Sequence, residues 1–167
     1  MPSRFSNLGD LILRDRDMSK VAIVDLGGET APREYTYAAL DAMCMAVAHA
    51  LAKRGFQRGD RIAILAANRA EYLAAYFGIM RAGLVAAPVN YRFPRKTIHF
   101  IVQDCGAKLI FCDRASREDC SSDLPAVCFG DESFGRFLDP GEFDTVLPKP
   151  DEAAMFLYTS GSTAIAT

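Results

Sequence analysis

Arg61-Ile62-Ala63-Ile64-Leu65-Ala66, then Asn68-Arg69-Ala70-Glu71-Tyr72 and, after Gly83, Leu84-Val85-Ala86-Ala87-Pro88-Val89, form the stretch on which the fold turns. Behind Arg61 the first run is continuously apolar, the pattern of a strand buried on both faces of a parallel sheet. Asn68 stands where a helix N-cap belongs, and Glu71, three residues on, is placed to reach back to it. Tyr72, Leu73, Tyr76, Phe77 and Met80 recur at helical spacing and predict the buried stripe of that helix. Gly83 supplies its stop, and a second apolar strand follows at once. Strand, helix and strand joined this tightly predict a βα unit in a parallel sheet.

The same rhythm extends in both directions. Toward the C-terminus, Pro94 fits a first helical turn, Ile98, Ile101, Val102 and Cys105 give one apolar face, Gly106 ends the helix, and Lys108-Leu109-Ile110-Phe111-Cys112 reads as a strand. Toward the N-terminus, Thr36 is an N-cap ahead of Leu40, Met43, Val47 and Leu51, with Gly55 as the stop. Val21-Ala22-Ile23-Val24-Asp25 and a short strand near Glu34 and Tyr35 predict a hairpin through Gly27-Gly28. Leu8 to Leu13 suggests one or two helical turns. Residues 113–150 lose the pattern apart from a short strand at Ala126 to Phe129, and are expected to make a variable surface excursion. The fold class is therefore α/β, a wound and mostly parallel sheet flanked by helices.

With 167 residues, 50% hydrophobic and 24% charged, the chain has the composition of a folded globular domain. Nineteen basic against 21 acidic side chains leave a formal charge of −2, which gives no field to gather nucleic acid or an anionic membrane. Five cysteines without a C-x-x-C pair fit a reduced, cytoplasmic chain, and two histidines are too few to build a zinc site. Residues 1–20 alternate charged with apolar residues, so neither a secretion signal nor a transmembrane segment is expected there. No dinucleotide fingerprint, Walker A loop or nucleophile elbow is present, so no residue is expected to serve as catalytic acid, base or nucleophile, or as a metal ligand.

One stretch carries chemistry. Met155-Phe156-Leu157-Tyr158 is an apolar run that leads directly into Thr159-Ser160-Gly161-Ser162-Thr163. Backbone N–H groups around a glycine form an anion-binding nest, and flanking hydroxyls add donors. The competing reading is a polar tail of the kind in which disorder concentrates. The apolar run ahead of the loop favours the cradle.

Tyr158 to Thr163, preceded by Asp151-Glu152-Ala153-Ala154, resembles the phosphate loop of the adenylate-forming (AMP-binding) superfamily: acyl-CoA synthetases, peptide-synthetase adenylation domains and luciferases. Tyr35-Thr36-Tyr37-Ala38-Ala39-Leu40-Asp41, Gly59 to Ile64, Asn68 to Tyr72, Arg81-Ala82-Gly83 and Pro88-Val89-Asn90-Tyr91-Arg92 continue the likeness, which runs from about Val21 to Thr163 and is nearest the acyl-CoA synthetase, or fatty-acid–CoA ligase, branch. The resemblance implies a ligase that activates a carboxylic acid with ATP and Mg2+ as an acyl-adenylate and passes the acyl group to coenzyme A. It assigns Thr159, Ser160, Gly161, Ser162 and Thr163 to the β- and γ-phosphates.

After Thr163 the family pattern continues with glycine, a variable residue, usually proline, and then lysine, whereas this chain has Ala164, Ile165, Ala166 and Thr167. A Cβ at a left-handed position costs about 1–2 kcal/mol. A lost charged hydrogen bond to phosphate costs about 1.5–3 kcal/mol. The resemblance further implies an incomplete N-terminal AMP-binding domain over 1–167, lacking the acyl pocket and most of the active site, and so a truncated, inactive fragment. Self-association through edges that the missing part covers is an expected hazard. A non-catalytic module that binds a nucleotide or a partner is the alternative.

Overall fold

The computed structural model describes residues 6–26 and 31–159. Strands β1 (Val21–Asp25) and β2 (Arg33–Thr36) pair antiparallel as a separate two-stranded sheet. The chain then runs through α1 (Tyr37–Lys53), β3 (Arg61–Leu65), α2 (Ala70–Arg81), β4 (Val85–Pro88), α3 (Arg95–Asp104), β5 (Ala107–Asp113), a 3-10 turn over Arg114–Asp119, β6 (Ala126–Phe129) and α4 (Glu132–Phe137). β3 to β6 form one sheet in the order β4-β3-β5-β6, parallel throughout. This is the wound parallel architecture that the βα spacing predicts.

Period-two alternation along β3 sorts the core into two layers. Ile62 and Ile64 point to the face covered by α1, α2 and α4, where they meet Val47, Leu51, Ile79, Phe111 and Phe129. Ala63 and Leu65 point the other way, toward Ile98, Ile101 and Val102 of α3. Both faces are covered, which is why β3 has no polar alternation to read.

The local signals hold at several termini. Thr36 Oγ1 accepts from the Ala39 N–H at 3.1 Å, capping α1. Gly55, Gly83 and Gly106 follow α1, α2 and α3 with φ of 82°, 73° and 61°, a backbone region open to glycine at no steric cost. All four residues expected on the buried face of α3, Ile98, Ile101, Val102 and Cys105, are buried.

Other details differ. Asn68 does not cap α2: the N-cap is Arg69, without a side-chain bond, and Asp25 Oδ2 accepts from Ala70 N at 3.2 Å instead. A carboxylate from β1 thus replaces the local cap. The tightly buried stripe of α2 is Ala74, Ala75, Gly78 and Ile79 rather than the aromatics, because α1 lies too close for large side chains. A Cβ on Gly78 would stand 2.7 Å from Val47 Cβ and 2.8 Å from the Cys44 carbonyl oxygen. Gly78→Ala is therefore expected to destabilise the fold by about 1–2 kcal/mol, an overpacking cost of roughly 1–3 kcal/mol exceeding the gain of up to about 1 kcal/mol in helix propensity. Urea unfolding checks this, and an unchanged or raised midpoint contradicts the close helix contact.

Residues 8–13 form a turn and irregular chain rather than a helix. This part of the chain bonds outward: Asn7, just before it, donates through Nδ2 to the Met80 and Val146 carbonyls at 2.8 and 2.9 Å, and the Gly9 carbonyl accepts from Arg81 Nε at 2.7 Å. Within residues 113–150, β6 and α4 contribute Phe129, Phe134 and Phe137 to the core. The Gly27-Gly28 turn lies outside the described residues.

Candidate functional site: the terminal segment

The segment that leads to the hydroxyl-rich loop is fastened to the free edge of β4. Ala86 N donates to the Ala154 carbonyl at 3.0 Å and Phe156 N donates to the Ala86 carbonyl at 2.9 Å, so Met155 makes a parallel bridge with Ala86. The order across the sheet is thereby extended to Met155, β4, β3, β5, β6. The apolar run from Met155 to Tyr158 joins the sheet through this single bridge rather than as a full strand. Phe156 and Leu157 remain 38% and 64% exposed, because among the described residues no further layer packs on them.

Three side-chain contacts hold the segment. Arg58 grips Glu152 through Nε at 2.6 Å and donates to the Leu147 carbonyl at 2.6 Å. The Arg58 hydrogen bonds, with the Lys149 N–H, hold the Glu152 carboxyl down at about 2. The Tyr76 hydroxyl donates to Met155 Sδ at 3.0 Å. The Tyr158 hydroxyl donates to Asp104 Oδ2 at 2.6 Å, at the C-terminal end of α3. Burial, followed by the Asp104 carboxylate, pushes the Tyr158 phenol well above its ordinary range. Tyr158 is therefore a neutral donor at neutral pH, anchoring the residue next to the loop.

Of the predicted phosphate contacts, Thr159 is described and exposed. Ser160, Gly161, Ser162 and Thr163 lie outside the described residues. Hydroxyls and amide N–H groups are the donor set that an anionic phosphate requires. Among the described residues no group of three or more His, Cys, Asp or Glu side chains is placed to hold a metal ion, so they offer no dedicated Mg2+ cage.

A second constellation, which sequence reasoning missed, lies at the carboxyl ends of β3 and β5. Parallel sheets bind ligands at this end. Arg69 donates to Asp113 at 2.9 Å and to Glu71 at 2.9 Å, while Arg33 bridges Glu71 at 3.2 Å and Asp25 at 3.0 Å. The second oxygen of Asp113 accepts from the Ala67 N–H at 2.6 Å. Burial raises the Glu71 carboxyl, but the Arg69 bond and its neighbours outweigh it and leave Glu71 below its usual range. The charges pair with one another, although Arg33 Nε is buried without a hydrogen-bond partner among the described residues, and the network fixes residues 65–70 and the tip of β1. Only Arg69-Ala70-Glu71 inside the helix start hinted at it.

An open cleft of about 960 Å³ lies at the amino ends of β3 and β4, lined among others by Arg58, Arg61, Val85, Cys105, Lys149 and Phe156. Arg58 is committed to Glu152 and Arg61 to the Cys105 carbonyl at 2.7 Å. The cleft is at the opposite end of the sheet from the usual ligand position.

Comparison with known proteins gives this geometry its context. The sequence pattern of the family described as AMP-binding enzyme matches residues 14–165. The chain is 31% identical over 158 residues to the 3-hydroxybenzoate–CoA/4-hydroxybenzoate–CoA ligase of Thauera aromatica, covering 83% of this chain and 30% of that enzyme. It is 31% identical over 144 residues to the fatty acid–[acyl-carrier-protein] ligase ScoC of Streptomyces coeruleorubidus, covering 80% of this chain and 27% of the relative. ATP-bound MatB from Rhodopseudomonas palustris superimposes with a TM-score of 0.76 at 28% identity, covering 90% of this chain and 31% of MatB. The chain thus spans about 30% of the length of the relatives it matches. A family pattern matched across residues 14–165, with a shared fold, establishes that this chain belongs to the AMP-binding enzyme family.

Proposed function

We propose that this chain is the N-terminal part of an ATP-dependent acid–thiol ligase of the acyl-CoA synthetase type, with Thr159, Ser160, Gly161, Ser162 and Thr163 receiving the β- and γ-phosphates of ATP. The observation that supports this most is the family match running from residue 14 to 165, through the hydroxyl-rich loop. In such a reaction a carboxylic acid displaces pyrophosphate from ATP, giving an acyl-adenylate that coenzyme A then intercepts. The part played by these residues is electrostatic and positional: N–H and O–H donors held around the phosphates offset charge and fix alignment. Mg2+, coenzyme A and the carboxylic acid belong to the longer relatives' chemistry, and this chain alone is proposed to be a fragment without turnover in the cytoplasm. Phe156 and Leu157, exposed at the sheet edge, are the surface through which it self-associates.

Titration with a fluorescent ATP analogue, run beside ATP–pyrophosphate exchange, tests this reading. Saturable binding, weakened about 10- to 150-fold by Ser162→Ala, is expected if a charge-assisted bond worth about 1.5–3 kcal/mol is lost. No exchange is expected with any carboxylic acid. Exchange by the chain alone would overturn the fragment reading, and absence of binding in a folded sample would overturn the phosphate assignment.

A further inference from the structure

Asp104 stands where its own helix gains nothing from it. It is the last residue of α3, whose final turn holds no basic side chain, and a carboxylate there is repelled by the partial negative charge of the unpaired carbonyls at a helix C-terminus. The residue is exposed, and its side-chain hydrogen-bond partner among the described residues is the Tyr158 hydroxyl, 54 residues along the chain and 2.6 Å away. An O–H donor that close to a carboxylate belongs to the stronger class of hydrogen bond.

Tyr158 is equally well placed on its side of the bond. Its half-buried ring packs against the layer that contains Ile98, Ile101 and Val102. Ahead of it the segment is joined to the sheet at Met155, through the bonds of Ala86 with Ala154 and Phe156, and Leu157 is 64% exposed. Tyr158 is therefore a second fixed point, and Thr159 follows it directly. A single bridge sets the position of a chain, whereas two fixed points also set its direction. A binding loop whose approach is already fixed has less conformational freedom to lose when a ligand arrives.

We propose that Tyr158 and Asp104 are positioning residues for the hydroxyl-rich loop, their hydrogen bond fixing the direction in which Thr159 to Thr163 are presented to phosphate. The inference rests on the assignment of that loop to the phosphates of ATP. In this role Tyr158 acts through the backbone of the residue that follows it, and Asp104 acts through Tyr158. By linkage, phosphate at the loop strengthens the Tyr158–Asp104 bond by the factor with which the bond strengthens phosphate binding.

Tyr158→Phe keeps the ring and removes the donor, and Asp104→Ala removes the acceptor. Titration of the folded chain and its variants with tripolyphosphate, together with heteronuclear NOE values of the Thr159 to Thr163 amides, tests the proposal. Each variant is expected to bind about 3- to 10-fold more weakly, the effect of one lost hydrogen bond, with lower NOE values confined to the loop. The double variant should lose no more than either single one. Urea unfolding separates positioning from bulk stability: Asp104→Ala should keep the midpoint of the unaltered chain, because relief at the helix end offsets the lost bond. Loop NOE values and affinity equal to those of the unaltered chain, losses that multiply in the double variant, or a lowered Asp104→Ala midpoint with amide signals changed throughout β3 to β6 would overturn the proposal. Absence of tripolyphosphate binding by the folded, unaltered chain overturns the phosphate assignment instead. The NOE comparison then decides the positioning role by itself, and unchanged loop values in both variants overturn it.

Discussion

Replacing Asp41 with alanine is expected to destabilise the fold by about 3–5 kcal/mol, the cost of removing one partner from a buried ion pair. Arg81, at the end of α2, is fully buried. Its Nη1 is 2.7 Å from Asp41 Oδ1, its Nε donates to the Gly9 carbonyl at 2.7 Å, and its Nη2 is 3.6 Å from Asp10. Nη2 itself has no hydrogen-bond partner among the described residues. Asp41 also accepts from Arg14 at 2.7 and 2.9 Å, so one carboxylate joins α1, α2 and the N-terminal segment. Without it Arg81 keeps a charge in a dry site with only a distant carboxylate for compensation. Urea unfolding of Asp41→Ala measures the effect. The pair Asp41→Leu with Arg81→Met should lose less than Asp41→Ala, because apolar replacement of both partners is often close to neutral. A loss under about 1 kcal/mol for Asp41→Ala would show that Arg81 reaches water, at odds with its burial.

Phe111→Ala should be of similar size, about 3–5 kcal/mol, through a different cause. Phe111 sits on β5 with its ring stacked on Phe129 at 5.7 Å and met edge-on by Phe134 and Phe137 at 6.1 and 5.2 Å. Removing it leaves a cavity walled by three aromatic rings that belong to β6 and α4, and α4 docks on the sheet largely through two of them, Phe134 and Phe137. The loss adds the transfer of the ring to the missing dispersion contacts. Since domains of this size are stable by about 5–15 kcal/mol, either substitution consumes a large share. Denaturant unfolding with tryptic cleavage mapping checks it: cleavage should appear first within residues 126–137. A variant that unfolds with an unchanged midpoint would mean that the aromatic cluster does not hold α4 to the sheet.

Much of this framework was legible in the chain because its signals are local. Continuous apolar runs at 62–66 and 84–89, the glycines at 55, 83 and 106, and the Thr36 cap each report on a few neighbouring residues, and together they specify the βα rhythm. The differences arise where distant groups decide. Asp25 caps α2 from another strand, which no pattern around Asn68 could reveal. Asn7 and Gly9 spend their hydrogen bonds on α2 and Val146, so an apparently helical segment is turn and irregular chain. α4 has six residues, one of them Gly135, too short for a periodic signal, and is held by Phe134 and Phe137 instead. The assignment of the hydroxyl-rich loop to phosphate rests on the resemblance, and the structure describes only the approach to it, Arg58 with Glu152 and Tyr158 with Asp104.

The proposed function depends on that loop receiving the phosphates of ATP. The most direct test follows the backbone amide signals of Thr159, Ser160, Gly161, Ser162 and Thr163 by NMR during titration with ATP, with tripolyphosphate and adenosine as separate probes. The prediction is a saturable shift confined to these amides and their neighbours with ATP and with tripolyphosphate, and none there with adenosine. Shifts elsewhere that leave these five amides unmoved, or no shift in a folded sample, would contradict it.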